Sequence, residues 1–114
     1  RYFDKLGYWP IMHIVAMAPS LAEECPGLPA ALMDMFAQAH EINDDYYSDP
    51  NWARLPAIRH LYEQSRDAFG DPWKSGFAAN RANLERFIQY SHDQGLISER
   101  YAPERLFVAS TLTT

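Results

Sequence analysis

The chain has 114 residues, 47% of them hydrophobic and 22% charged, with a formal net charge of −5. That length admits at most one ordinary domain, and the composition is that of a folded chain rather than a disordered one. The acidic balance and the absence of any Lys/Arg cluster interleaved with aromatics argue against nucleic acid as a partner, and no apolar run approaches the length of a membrane span.

The chain opens "RYFDKLGYWPIMHIVAM", without an initiator Met and without a charged-then-apolar leader. Residues 9–17, Trp9 to Met17, form a nearly continuous apolar run containing Ile and Val, which suits a strand buried on both faces of a sheet. His13 is its one polar residue, and Pro10 stands at its start, where a missing N–H is tolerated. No second strand comes after it, and a lone strand cannot satisfy its own backbone. The expectation is therefore a piece of something larger.

Ala18-Pro19-Ser20 breaks the run and offers Ser20 as N-cap for a short turn, Leu21 to Cys25. Cys25 has no partner for an internal disulfide and no neighbouring His, and reads as a small buried filler. From Leu28 to Tyr47 the apolar positions Leu28, Ala31, Leu32, Met35, Phe36, Ala39 and Ile42 recur at spacings of three and four, which marks one face of a helix. Pro29 fits its first turn.

"SDPNW" ends that helix and starts another, with Asp49 as N-cap. Leu55, Ile58, Leu61, Tyr62 and Phe69 outline this second helix. Its continuous part begins near Pro56, because a mid-helix Pro forfeits a hydrogen bond, and Gly70 ends it. A third helix runs from Ala78 or Ala79 to Gln94, with Leu84, Phe87, Ile88 and Ser91 as its inner stripe. Gly95-Leu96 matches a Schellman stop in which Leu96 folds back. A last short turn covers Pro103 to Phe107.

The stretches Asp71-Pro72-Trp73, Gly76, Asn80-Arg81, Leu84-Glu85, Gln94-Gly95-Leu96 and Pro103-Glu104-Arg105-Leu106-Phe107, together with the early Pro10-Ile11-Met12-His13, occur in an order that resembles the C-terminal segment of the 4,5-dihydroxyphthalate decarboxylase family. That family is similar in turn to type II periplasmic solute-binding proteins. The resemblance implies a mainly α fragment, one N-terminal strand and three or four helices, cut from a two-lobed α/β fold. On this view 1–114 is a single C-terminal segment, 9–17 a hinge or sheet strand and 28–108 the helical part. Two positions depart from the family pattern: Ala18-Pro19 stands where a basic residue is usual, and Pro26-Gly27 where Pro-Trp is usual. They bear on the exact substrate more than on the fold.

The implied activity is non-oxidative decarboxylation of an aromatic dicarboxylic acid in aromatic catabolism, in the cytoplasm and without cofactor or metal. The alternative is a periplasmic solute-binding protein that carries an organic acid and performs no chemistry, since one architecture serves both jobs. His13 is the candidate proton donor, because an imidazole exchanges protons near neutral pH; the competing reading is a buried His satisfied by a backbone carbonyl. Arg81 and Asn80 are candidate substrate-binding residues, a guanidinium fork suiting a carboxylate. An Arg at a helix start more often pairs with a nearby Asp or caps loop carbonyls, however, and Asp71 is a ready partner, so the structural reading is preferred for Arg81. Trp9 and Tyr8 are candidate ring contacts, and Trp73 a core anchor. His40, His60 and His92 lack metal-ligand spacing. The expected partners are a small aromatic carboxylic acid and, through exposed apolar surface, further copies of the chain.

Overall fold

A computed structural model describes residues 1–114. It is all helical: α1 (Tyr2–Leu6), α2 (Pro19–Glu24), α3 (Leu28–Ser48), α4 (Ile58–Phe69) and α5 (Phe77–Asp93), followed by two 3₁₀ turns, Pro103–Leu106 and Ala109–Thr111. Neither a strand nor a sheet is present. The two-lobed α/β architecture and the strand at 9–17 are thus corrected. Residues 8–17 make no backbone-to-backbone hydrogen bond at all. An apolar run becomes a strand only when a neighbouring strand completes its ladder, and Pro10 removes one of the donors such a ladder needs.

The helices follow their local chemistry closely. Pro19 and Pro29 occupy first-turn positions of α2 and α3, where a missing N–H costs nothing. The first of these shifts the start of α2, so Ala18 and not Ser20 is its N-cap. Asp49 is not an N-cap but the C-cap of α3, its N–H donating to the Asp45 carbonyl; its Oδ1 accepts the Asn51 N–H at 2.9 Å and closes a turn. The helix proper starts at Ile58, after Ala57 takes a left-handed conformation at φ 66°.

α5 ends in a Schellman motif: the Leu96 N–H donates to the Ser91 carbonyl at 2.9 Å and the Gly95 N–H to that of His92 at 2.9 Å, with Gly95 at φ 73°. The hydrophobic closure expected of Leu96 does not form, since it stays 74% exposed.

Burial is sparse. The buried apolar side chains, besides Pro29 and Pro103, are Phe77, Leu84 and Ile88. All three lie on α5, so this helix is the centre of what core there is. Phe87, expected on the same stripe, points outward at 67% exposure. Cys25 is exposed, not a buried filler, and Trp73 is 67% exposed, not a core anchor. The apolar face of α3 is only partly covered: Leu28 and Leu32 are half-buried, whereas Met35, Phe36 and Ile42 are exposed.

Two global quantities say the same. The radius of gyration is 17.1 Å, against about 13 Å for a compact chain of this length. The accessible surface is 8933 Å², against roughly 6,400 Å² for a monomer of this mass. No helix is long and apolar enough to cross a membrane.

Candidate functional site

The loop before α5 is built to aim that helix. Asp71 Oδ1 accepts the Trp73 N–H at 3.0 Å, which turns the chain at Pro72. The Asn80 amide nitrogen then donates to the carbonyls of Lys74 at 2.7 Å and Gly76 at 3.0 Å. One side chain thereby staples the loop to the first turns of α5 and occupies both donors of the Asn80 amide.

Arg81 faces elsewhere. Its guanidinium pairs with Glu85 at 3.0 Å, grips Glu104 on the 3₁₀ turn after α5, and lies over the Phe77 ring. Its pKa is raised, first by the hydrogen bond to Glu104. Asp71 is not its partner.

The extended segment meets α5 through a residue that pattern reading did not single out. Asn83 is buried, at 6% exposure. Its Oδ1 accepts the Ile11 N–H at 3.3 Å, and its Nδ2 donates to the Trp9 carbonyl at 2.5 Å. Three residues on, Arg86 lies beside Tyr8, whose hydroxyl is the leading cause of its raised pKa, and over the Tyr90 ring at 5.8 Å. Tyr8 also packs edge-on against Tyr2, 6.3 Å between centroids. Trp9 sits in a three-ring cluster with Phe3 at 5.9 Å and Phe69 at 5.7 Å. These aromatic contacts tie α1 and the end of α4 to the segment.

A hollow of about 280 Å³ lies between Trp9, Pro10, Met12 and Trp73. Its walls are almost wholly apolar and include two indoles. His13 comes directly after Met12, is exposed and makes no side-chain hydrogen bond. It is therefore not a buried imidazole satisfied by a carbonyl. A second hollow, about 420 Å³, lies at the end of α3 between Ile42, Asp45, Tyr46, Ser48, Asp49 and Trp52.

Of the five residues singled out from sequence, Tyr8 and Trp9 are brought together against α5. Asn80 and Arg81 lie earlier on that helix, and neither is joined to His13 by a hydrogen bond or ion pair. Asn83 was passed over because a polar residue inside a helical pattern ordinarily reads as solvent-facing. The signal that marks it is its place immediately before Leu84, eight residues ahead of Ser91, on the flank of the buried stripe.

Comparison with known proteins gives a single direction. The chain is 32% identical over 115 aligned positions to a 4,5-dihydroxyphthalate decarboxylase from Comamonas testosteroni, an alignment that covers 98% of this chain and 35% of that protein. No family model matches. The chain thus spans about a third of that relative's length, and the relationship is a distant one.

Proposed function

We propose that this chain is a segment of a carboxy-lyase acting on 4,5-dihydroxyphthalate or a related aromatic dicarboxylic acid. The observation that carries the reading is the similarity to the named decarboxylase along nearly the whole chain. The geometry supplies two groups suited to the chemistry, a free imidazole and an aromatic-walled hollow beside it in sequence.

Non-oxidative decarboxylation of a hydroxylated ring needs a proton delivered to the carbon that bears the carboxylate. Ring electron density, reinforced by a hydroxyl, forms the new C–H bond. The C–C bond to the carboxylate then breaks, carbon dioxide departs, and the electron pair left behind restores aromaticity. In this reading His13 delivers the proton as imidazolium, a role its exposure leaves open. Trp9 and Trp73 flank the ring, and the Tyr8 hydroxyl, held beside Arg86, is a hydrogen-bond partner for a ring substituent. Arg81 holds Glu85 and Glu104 through Nε and Nη1, and Asn80 spends both amide donors on the loop carbonyls, so the Nη2 donors of Arg81 and the Oδ1 of Asn80 are what remain for a substrate.

The test is release of carbon dioxide from 4,5-dihydroxyphthalate by the full-length protein and its His13→Gln variant. Loss of turnover by about 10²–10⁴-fold is expected, the usual share of a general acid. Turnover that survives the substitution removes His13 from the mechanism. Binding of the diacid without any turnover points instead to a carrier.

A further inference from the structure

The segment Tyr8–Met17 is the longest stretch of backbone between helices that makes no hydrogen bond to other backbone, yet it bears the imidazole on which the proposed chemistry depends. What holds it is Tyr8, packed on Tyr2 and beside Arg86, the Trp9 ring, packed on Phe3 and Phe69, and the side chain of Asn83. That side chain accepts from Ile11 and donates to Trp9 across 72 and 74 residues of sequence. It does what a neighbouring strand would do, offering one acceptor and one donor at the spacing of alternate residues.

We propose that Asn83 is the positioning residue for the His13 segment: its buried carboxamide sets the register of Trp9–Ile11 on α5 and thereby where the imidazole is presented. The catalytic consequence rests on the function proposed above; the structural one does not.

The reach of the chain explains why this tie matters. With Ile11 anchored, the His13 Cα lies within about 7 Å of the Ile11 Cα, since a residue spans at most about 3.6 Å. Without it, the nearest fixed points are the Trp9 ring and the start of α2 at Pro19, and His13 lies well inside a free span. No smaller or apolar side chain provides both halves of the tie. A carboxylate keeps the acceptor for Ile11 but sets its charge against the Trp9 carbonyl. Protonation of that carboxyl would restore a donor, which makes Asn83→Asp a variant that can be rescued by acid.

The experiment is hydrogen exchange on the full-length protein, read on the peptide spanning residues 8–17, for wild type, Asn83→Leu and Asn83→Asp. In wild type the Ile11 amide, bonded to Asn83 Oδ1, is expected to exchange slowly. Asn83→Leu is expected to speed its exchange at least tenfold with α5 peptides unchanged. Asn83→Asp is expected to do so at neutral pH and to regain protection as the introduced carboxyl protonates. Turnover is measured on the same samples, with kcat expected to fall in step with lost protection and KM to change little. Unchanged Ile11 exchange in Asn83→Leu overturns the proposal, as does a kcat indifferent to lost protection. Absence of turnover in wild type would sink the decarboxylase reading instead, while exchange still decides whether Asn83 holds the segment.

Discussion

The carbonyl oxygen of Thr114 accepts a hydrogen bond from the Ala78 N–H at 2.6 Å, and the Thr114 hydroxyl accepts one from the Phe77 N–H at 3.2 Å. The first turn of α5, which has no side-chain cap of its own, is therefore capped from 36 residues downstream. The approach is possible because residue 76 is glycine. A Cβ there would stand 2.6 Å from the Thr114 carbonyl carbon, and Gly76 adopts φ 105°, ψ 159°, a region open essentially to glycine alone.

Gly76→Ala is accordingly expected to destabilise the fold by about 1–3 kcal/mol, the usual cost of a residue forced into such backbone geometry. The clash falls on backbone, so no side chain can swing aside to absorb it. A lower urea midpoint with unchanged slope is the expected result. A midpoint equal to wild type would mean that the Thr114 cap is absent in solution.

Core substitutions separate the one helix that is packed from those that are not. Leu84 is 7% exposed whereas Leu61 on α4 is 58% exposed. Leu84→Ala is expected to cost about 2–5 kcal/mol through lost burial and the cavity it leaves. Leu61→Ala is expected to change stability by no more than about 0.5 kcal/mol. Equal losses, measured by thermal and urea unfolding, would show that the α4 face is covered in solution.

How much of this was legible beforehand divides along a physical line. Periodicity and punctuation are local, and they located α3, α4 and α5 within a residue or two, together with the Schellman stop at Gly95. Short-range chemistry also explains the Pro19 start of α2. What local pattern does not encode is the partner. An apolar run such as Trp9 to Met17 is compatible with a strand or with a segment tethered by side chains, and only the remote Asn83 decides between them. In the same way, spacing put Phe87 on the inner stripe and left Asn83 unnoticed. A helix's rotation about its axis is set by the groups that pack on it, here the Trp9 carbonyl and the Ile11 amide. Of the candidate site, Tyr8 and Trp9 were recognisable as neighbours of His13, whereas the commitments of Arg81 and Asn80 involve residues 4 to 23 positions away.

The uncovered apolar surface carries a prediction of its own. Trp52, Leu55, Met35 and Ile42 stand out on α3 and the loop after it at 54–67% exposure, and the total surface exceeds that of a monomer of this mass by roughly 2,500 Å². Contiguous exposed apolar patches drive association. The 114-residue chain on its own is expected to self-associate at micromolar concentration, seen as a rising weight-average mass in sedimentation velocity. A monomer across the accessible range would mean that these helices fold over one another in solution.

The Arg81–Glu104 pair predicts an acid dependence of stability whose sign is fixed by the direction of the shift. The backbone N–H of Glu104 and then the Arg81 guanidinium hold the Glu104 carboxyl below its ordinary value of 4.5. A carboxyl with a depressed folded value binds protons more readily when unfolded. Its contribution is thus fully present above about 4.5 and is lost as pH falls through the lower, folded value. Both partners are partly exposed to solvent, so the effect is modest and screened by salt. Glu104→Gln should flatten the fall in urea midpoint below pH 4.5 while leaving the slope at neutral pH unchanged, and added salt should flatten the wild-type curve in the same direction. Identical acid limbs for wild type and variant would show that the 3₁₀ turn at Pro103–Leu106 is not held to α5 by this pair.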